Sequence, residues 1–251
     1  MSTRGVEPRV LLLDIETLPY QVTTWDNFPR APISHENIVK ETQMLSAAWK
    51  WQGTSKVYSK MIKRGGTDED LTRELHRVIG LADAVVAHYG DGFDIPWIQA
   101  RCLKWGLGPL KPVVQIDTWK ICKSKFKLFN NKLDYVARYL GLGKKIKTDF
   151  DLWKKCLAGK RSARKKMLRY NKQDVRLLEA VYLKVLPFVQ AKLNRAMYAG
   201  DHVLGQRTCP TCGSQHVHRH GMHFTRTGER FAYQCLDCKA WFYRLLHTRA
   251  R

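Results

Sequence analysis

One long helix is predicted by SARKKMLRYNKQDVRLLEAVYLKVL (162–186), a stretch that ends immediately before Pro187. At about 100° per residue, its apolar side chains share one arc, which consists of Met167, Leu177, Leu178, Val181 and Val185. Tyr170 and Asp174 fall on the same arc, so a carboxylate lies on the face that the helix should bury. An unpaired buried charge is costly, and Asp174 therefore predicts a partner: a cation, a hydrogen-bond network or a metal ion.

Two more acids stand in an otherwise apolar run, VLLLDIETL (10–18), which has the length of a buried strand. Asp14 and Glu16 are two residues apart, so they point to the same face of that strand. Side by side they repel each other unless a cation lies between them, although one of them could instead cap a loop at the strand end. A further acid, Asp94, follows the predicted strand DAVVAH (83–88), where a helix N-cap is the structural alternative.

The order of the elements predicts a mixed α/β sheet. Gly53-Thr54 separates two strands and predicts a hairpin, and Thr67 with Asp70 predicts a capping box for the following helix. The predicted strands are 10–18, 43–52, 55–62, 83–88 and 113–117, and the predicted helices are 68–80, 95–105, 131–142 and 162–186. A linker at 196–207 would divide the chain into domains at 1–195 and 208–251.

The composition favours a folded protein of the cytoplasm. Of the 251 residues 44% are hydrophobic, and eight are Trp, which excludes a disordered chain. No apolar run approaches the ~18 residues of a membrane span, and MSTRGVEPR at the N-terminus has no signal-peptide core. Four of the seven Cys form two CxxC pairs, which indicates a metal site in a reducing compartment and not a disulfide framework.

The net charge of +22 is concentrated in the middle of the chain. Residues 101–200 contain 25 basic and 6 acidic side chains, while residues 1–100 contain 11 basic and 13 acidic ones. A merely solvated surface is one interpretation of such a run. So many cations in a folded, Trp-containing region instead favour a polyanionic partner, nucleic acid before membrane, and predict a lysine-rich groove between Lys120 and Lys172.

The C-terminal segment has the pattern of a zinc ribbon. Cys209 and Cys212 are separated by 22 residues from Cys235 and Cys238, and four thiolates at this spacing can close a tetrahedral, structural Zn²⁺ site. The alternatives are four free thiols in a small core, or a ligand drawn from His216, His218, His220 and His223. Nucleic-acid contacts are expected from the basic and aromatic residues around this site, Arg219, Arg226, Arg230, Arg244, Trp241, Phe242 and Tyr243.

The acidic motifs together resemble a known family. DIE (14–16), HYGDGFDIPWI (88–98) and YNKQD (170–174) occur in the order found in the DEDDy exonucleases, which include the proofreading domains of family B DNA polymerases. The resemblance covers roughly residues 9–186, and it implies the ribonuclease-H-like fold. His88 stands where the family commonly has Asn. Single-chain members that end in a zinc ribbon are familiar from bacteriophages, which implies a phage source and the host cytoplasm.

The resemblance implies a site and an activity. Asp14, Glu16, Asp94 and Asp174 would hold two Mg²⁺ or Mn²⁺ ions, and Tyr170 would orient the attacking water. The expected enzyme is a 3′–5′ exonuclease that favours DNA over RNA and single-stranded ends over duplex, and that releases nucleoside 5′-monophosphates. A replication or recombination protein is the expected type of protein partner.

Two other functions stay open, and several residues receive structural interpretations. The protein could be a ribonuclease or a structure-specific endonuclease on the same fold, or a non-catalytic nucleic-acid-binding module. Asp117 is interpreted as a helix cap or a support of the site, and Asp134 and Asp149 as surface or cap residues. Cys102, Cys122 and Cys156 are interpreted as core thiols. The sequence leaves the contribution of His88 undecided.

Overall fold

A mixed sheet of five strands forms the centre of the computed structural model, which describes residues 7–25, 32–198, 208–225 and 228–245. The first seven strands are β1 (Val10–Thr17), β2 (Gln21–Val22), β3 (Ile38–Lys40), β4 (Met44–Trp51), β5 (Tyr58–Met61), β6 (Ala84–Ala87) and β7 (Val114–Asp117). The sheet order is β5-β4-β1-β6-β7, and β2 pairs with β3 outside it. Since β1 is antiparallel to β4 and parallel to β6, it lies in the middle of the sheet.

Helices cover both faces of this sheet. Within the described ranges they are α1 (Glu69–Gly80), α2 (Asp94–Lys104), α3 (Thr118–Lys125), α4 (Leu133–Tyr139), α5 (Phe150–Leu157), α6 (Arg161–Val185) and α7 (Arg195–Tyr198). The α1 and α2 side chains pack in one core with Leu11 and Leu13 of β1. The α4 helix and the C-terminal half of α6 pack in a second core with Val10 and Leu12. Because side chains alternate along a strand, Asp14 and Glu16 point to the same face of the sheet as Leu12, which is the face that α6 covers.

The fold class and most of the elements are confirmed. The first strand, the hairpin of β4 and β5, and the long helix α6 all form, and Asp174 is fully buried as its position on the apolar arc predicts. The predicted helix at 131–142 is shorter in the structure, where it is α4. The structure also has a helix, α5, in the lysine-rich stretch between α4 and α6, where the sequence predicts none. No described helix is long and apolar enough to cross a membrane.

The predicted capping box at the start of α1 is wrong. The helix is preceded by Asp68, whose side chain makes no hydrogen bond to the first turn. Its fully buried carboxylate instead accepts hydrogen bonds from Arg101 (2.7 Å), from the Trp105 indole (2.9 Å) and from the Met44 amide (2.9 Å). Asp68 therefore joins α1 to α2 and β4, since buried charges require such partners.

A separate three-stranded sheet forms the C-terminal part of the described chain. Its strands are β8 (Val217–Thr225), β9 (Gly228–Cys235) and β10 (Trp241–Leu245), in the order β10-β9-β8. The small core beneath it contains Cys209, Tyr233, Cys235 and Phe242. The predicted linker falls mostly on residues 199–207, which lie outside the described ranges.

Candidate active site

Three predicted site residues meet between β1 and α6. Asp14, Glu16 and Asp174 each contribute a carboxylate oxygen to a group whose members lie within 4.8 Å of one another. Asp14 and Glu16 project from the same face of the strand, and α6 passes across that face with Asp174 on its buried side. The carboxylate that the helix pattern places on an apolar face is therefore opposite the two acids of the strand.

Asp94 lies beside this group and not within it. It is the first residue of α2, and its Oδ1 accepts a hydrogen bond from the Ile15 amide at 3.0 Å. The parallel pairing of β1 with β6 extends only from Val10 to Leu12. Ile15 lies past the end of this pairing, and the Asp94 carboxylate accepts the hydrogen bond of its backbone amide. Asp94 thereby anchors the backbone between the two acids of β1.

Burial, with the charge of neighbouring groups, strongly perturbs the carboxylates. Burial raises the pKa of Asp14 well above its usual value, and the neighbouring Asp174 raises it further. Burial raises the pKa of Glu16 to about 8, although the Lys145 ammonium opposes that rise. The pKa of Asp94 rises to about 7, again mainly through burial. The site thus holds more negative charge than its protein surroundings compensate.

Lys145 is a member of the site that the sequence analysis did not single out. Its Nζ lies 2.6 Å from Oδ2 of Asp174 and 5.1 Å from the centre of the Tyr170 ring. Although burial opposes it, the attraction of the carboxylates, Asp174 first, raises the pKa of Lys145, so the group is an ammonium. One cation of the protein is therefore placed directly against the buried acid of α6.

The backbone around Lys145 is fixed in place by α4. The Lys145 backbone amide donates a hydrogen bond to Oδ1 of Asp134 at 2.7 Å, and Asp134 also forms an ion pair with Arg138 at 2.9 Å. Gly143 has φ 111, a conformation that favours glycine, and it lets the chain turn between α4 and Lys145. Asp134, interpreted from the sequence as a surface or cap residue, holds the segment that delivers the ammonium.

Tyr170 lies beside the acids as well. It is buried one helical turn before Asp174, and its ring meets Trp153 edge-on at 6.3 Å between centroids. Burial, with Asp174 and Glu16 adding to it, raises the pKa of the Tyr170 phenol above its usual value. The hydroxyl therefore stays protonated near neutral pH and can position a water molecule, whereas it is a poor base.

Asn171 is a second residue that the sequence analysis missed. Its amide nitrogen donates to the backbone oxygen of Asp14 at 3.1 Å and to the Asp14 carboxylate, while its oxygen accepts from Ser46 Oγ at 3.2 Å. Asn171 is fully buried, so these bonds replace those it would make to water. It links α6 to β1 and β4 at the height of the acids.

His88 and Asp117 support the site from outside. His88 bonds through its two ring nitrogens to Thr118 Oγ1 (2.9 Å) and to the Asn131 carbonyl (2.8 Å), and burial lowers its pKa to about 4. Asp117 caps α3, as interpreted from the sequence, and also accepts from the Tyr89 amide at 3.0 Å. Both residues hold the turn that leads to Asp94.

The carboxylate group fits hard divalent cations. With all four acids ionised, and Lys145 as the counter-charge, the site carries a formal charge of −3. All-oxygen donor sets of this kind suit Mg²⁺ or Mn²⁺ better than softer metals. Burial is the main cause of the raised pKa values of the carboxyl groups, and a bound cation would favour their ionised forms.

The four cysteines of the C-terminal sheet form a second metal-binding group. Sγ of Cys209 lies 3.8 Å from that of Cys238, and Sγ of Cys212 lies 3.6 Å from that of Cys235. A tetrahedron with Zn–S bonds of about 2.3 Å has edges of about 3.8 Å, so the cluster fits a zinc ribbon. His216, considered as a substitute ligand, is directed instead to Asp237 at 3.4 Å.

The aromatic residues expected to contact nucleic acid on the ribbon differ in their exposure. Trp241 and Tyr243 are exposed, whereas Phe242 is buried and stacks on Tyr233 at 5.5 Å, so its assignment to a contact surface is wrong. The alternation along β10 explains this, because neighbouring residues point to opposite faces. Arg226 lies outside the described residues.

Comparisons with known proteins give the family and the fold. Residues 36–186 match a family described as the RNase H superfamily; the match begins after β1 and so leaves out Asp14 and Glu16. No curated protein matches the chain. Among solved structures, the family B DNA polymerase from the hyperthermophilic archaeon Pyrobaculum calidifontis is similar over 76% of this chain, with a TM-score of 0.53 and 16% identity. The chain covers 27% of that polymerase, and the likeness is one of fold.

Proposed function

Because this chain belongs to the RNase H superfamily, we propose that it is a metal-dependent nuclease, and specifically a 3′–5′ exonuclease acting on DNA. The observation that carries the proposal is the convergence of Asp14, Glu16 and Asp174 within 4.8 Å, next to Asp94 and Tyr170. Structural proteins gain nothing from such a repulsive cluster, whereas phosphoryl transfer needs cations held at that spacing.

The acids would hold two Mg²⁺ or Mn²⁺ ions. Asp14, Glu16 and Asp174 supply ligand oxygens, and Asp94 completes the set from the start of α2. Bound there, the ions would supply an activated water and stabilise the leaving 3′-oxygen of the strand. Tyr170 would orient the attacking water through its hydroxyl, and Asn171 would keep the Asp14 carboxylate in one rotamer.

Single-stranded 3′ ends are the proposed substrate. Asp94 and Asp174 are buried, and Asp14 and Glu16 are half-buried between a strand and a helix. A duplex end would have to unpair before its terminal phosphodiester reached these carboxylates. The products would be nucleoside 5′-monophosphates. The basic residues between Lys120 and Lys172 would attract the strand, since phosphate neutralisation dominates such affinities.

The proposed organisation has three parts. Residues 1–195 form the nuclease domain, 196–207 a linker, and 208–251 a ribbon that holds one structural Zn²⁺ through Cys209, Cys212, Cys235 and Cys238. A cytoplasmic location, or the host cytoplasm for a phage-encoded enzyme, agrees with free thiols and a reducing environment. A replication or recombination protein is the proposed type of partner.

Labelled strands test this function directly. The protein is incubated with 3′- and 5′-labelled DNA and RNA, each with Mg²⁺, with Mn²⁺ and with chelator. We expect that labelled mononucleotide is released immediately from 3′-labelled DNA, and only when metal is present. The 5′-labelled DNA should release no mononucleotide at the start of the reaction. Internal fragments would indicate the endonuclease alternative, and preference for RNA the ribonuclease.

Two substitutions and one control locate the centre. Asp14→Ala and Asp174→Ala should abolish cleavage while the fold is retained, because each removes ligand oxygens and also relieves repulsion between carboxylates. Asp151→Asn changes an exposed acid of α5 that pairs with Lys155, and it should cleave as the wild type does. Wild-type rates in the first two variants would show that the reaction takes place elsewhere.

A further inference from the structure

Three neighbouring aromatic rings lie on α4 and the loop that precedes it, with Phe129 and Tyr139 exposed and Tyr135 half-buried between them. Tyr135 and Tyr139 stack with 6.4 Å between centroids and 17° between planes. Phe129 extends this column, with its ring centroid 6.1 Å from that of Tyr135 and its plane tilted by 44°. Phe129 is 92% exposed and Tyr139 65% exposed. Isolated exposed rings are ordinary in proteins, but a column of three leaves a continuous apolar strip in water.

The helix pattern explains why the column points outward. The apolar face of α4 packs into the second core through Leu133, Val136 and Ala137, and neither tyrosine belongs to that core. Tyr135 and Tyr139 are four residues apart and therefore lie one above the other on the opposite side. The rings are in this position for a reason other than the stability of the core.

The surroundings of the column are strongly basic. Residues 118–148 contain nine Lys or Arg and one acid, Asp134, which already pairs with Arg138 and the Lys145 amide. Lys127 and Lys132, which flank Phe129 in sequence, are exposed. Stacking rings within a field of cations match the chemistry of a single-stranded polynucleotide, whose bases stack and whose phosphates are anionic.

The column is tied to the catalytic centre at two points. The Asn131 carbonyl, two residues after Phe129, bonds to His88 at 2.8 Å in the turn that leads to Asp94. Asp134, next to Tyr135, holds the backbone of Lys145, whose ammonium is 2.6 Å from Asp174. A strand lying on the rings would thus be adjacent to the site where its 3′ end is cut.

From this arrangement we infer that Phe129, Tyr135 and Tyr139 form a stacking platform for the bases of the single strand that leads into the active site. The inference rests on the proposed function, because it assigns the platform to that enzyme's substrate. Three rings, each able to stack one base, give the platform room for about three nucleotides. A strand of at least that length is needed for full affinity.

Binding to a 5′-labelled 12-mer in the presence of chelator tests the platform without cleavage. Phe129→Ala and Tyr139→Ala should each weaken binding by about 5- to 150-fold, the range measured for loss of one stacked base. Tyr139→Phe keeps the ring and should bind within about twofold of the wild type. Phe224→Ala removes an exposed ring of β8 that is outside the column, and it should not alter affinity.

An abasic 12-mer separates base stacking from contacts to phosphate. The wild type should bind it more weakly than the normal strand, and Phe129→Ala and Tyr139→Ala should not weaken that binding further. Equal losses on both strands, or wild-type affinity of the two alanine variants for the normal strand, would overturn the platform. Hydrolysis of thymidine 5′-(p-nitrophenyl phosphate), which is too short to reach the rings, should be unchanged in the variants. Its absence in the wild type would instead count against the proposed nuclease.

Discussion

At the scale of single residues, Lys145 shows how the protein partly compensates its own acidic centre. Its ammonium is the nearest cation to Asp174, and it lowers the pKa values of Asp174 and Glu16 that burial raises. A permanent charge at this point also repels any divalent ion that approaches the same carboxylate. Lys145 therefore stabilises the metal-free protein and opposes metal binding.

Lys145→Met should separate these two effects, because it keeps the length of the side chain and removes the charge. The metal-free protein should unfold at a lower temperature, and its affinity for Mn²⁺ should rise by about tenfold or more, since even ~1.4 kcal/mol of relieved repulsion has that effect. Calorimetric titration and thermal unfolding in chelator measure the two quantities.

The neighbouring lysine provides the control. Lys144 is exposed, and Lys144→Met should change neither the unfolding temperature nor the affinity for Mn²⁺ appreciably. If Lys145→Met lost Mn²⁺ binding, the ammonium would be required to hold the carboxylates in place and would not compete with the metal ion.

The acids of the site could be predicted from the sequence, whereas Lys145 could not. Asp174 is unusual on an apolar arc, and Asp14 with Glu16 is unusual in an apolar strand, so local patterns single them out. Lys145 is one of nine basic residues between 118 and 148, and nothing in its own stretch distinguishes it. Its role arises from Asp134 and Gly143, which direct the loop over the site.

At the scale of elements, α6 is the helix that assembles the centre. It brings Tyr170 and Asp174 to the acids of β1, and Lys50 of β4 pairs with Glu179 farther along the helix. Between these contacts Asn171 bonds to Asp14 and Ser46 and so fixes how α6 lies across both strands. The geometry of the carboxylates therefore depends on an uncharged side chain.

Asn171→Ala should lower the free energy of unfolding by roughly 1–3 kcal/mol, because it removes the two hydrogen bonds that the buried amide donates to Asp14. It should also lower kcat and weaken Mn²⁺ binding, since the Asp14 carboxylate is no longer held in one orientation. Chemical denaturation, steady-state kinetics and calorimetry give the three values.

Ser46→Ala is the matched control for that prediction. It removes the hydrogen bond from Ser46 Oγ to the side-chain oxygen of Asn171, and it leaves both hydrogen bonds from the side-chain nitrogen of Asn171 to Asp14 intact. Its kcat and Mn²⁺ affinity should remain close to those of the wild type. Equal losses in the two variants would mean that Asn171 contributes general packing and does not position Asp14.

The elements differ in how well the sequence predicts them. The long helix and the first strand are strongly patterned, and both form nearly as predicted. The eight-residue α5 is too short and too basic for its periodicity to stand out, and its start is set by the Asp149 cap. The predicted capping box of Thr67 and Asp70 is wrong because Asp68, and not Thr67, immediately precedes α1. The Asp68 carboxylate is held by Arg101 and Trp105, which are distant in sequence and which no local rule can anticipate.

At the scale of the whole molecule, the two candidate metal-binding groups lie in parts of the chain with very different cores. The carboxylate group lies in the sheet-and-helix part, where the fold has two large cores of its own. The ribbon has a core of only four buried residues and a few that pack against it, which is too little to stabilise so small a unit without a metal. The ribbon should therefore depend on its ion for folding, and the sheet-and-helix part should not depend on the ribbon.

A chain ending at Tyr198 tests this division, because it keeps every residue of the proposed catalytic site and removes all four ribbon cysteines. It should fold, retain metal-dependent cleavage in single turnovers at saturating enzyme, and contain one Zn²⁺ fewer per chain by elemental analysis. The contact from the Arg195 amide to Pro210 is lost, which is a small perturbation beside the two intact cores.

The full-length Cys212→Ser variant shows whether metal loss alone has the same effect as truncation. Because three thiolates close a tetrahedral site poorly, this variant should lose zinc and unfold its ribbon while cleavage in single turnovers persists. Affinity for a long strand can fall in both proteins through the loss of Trp241 and Tyr243 as stacking surface. A truncated chain that folds but cleaves nothing would place the ribbon in the catalytic centre, and an unchanged zinc content would show that the cysteines are not the site.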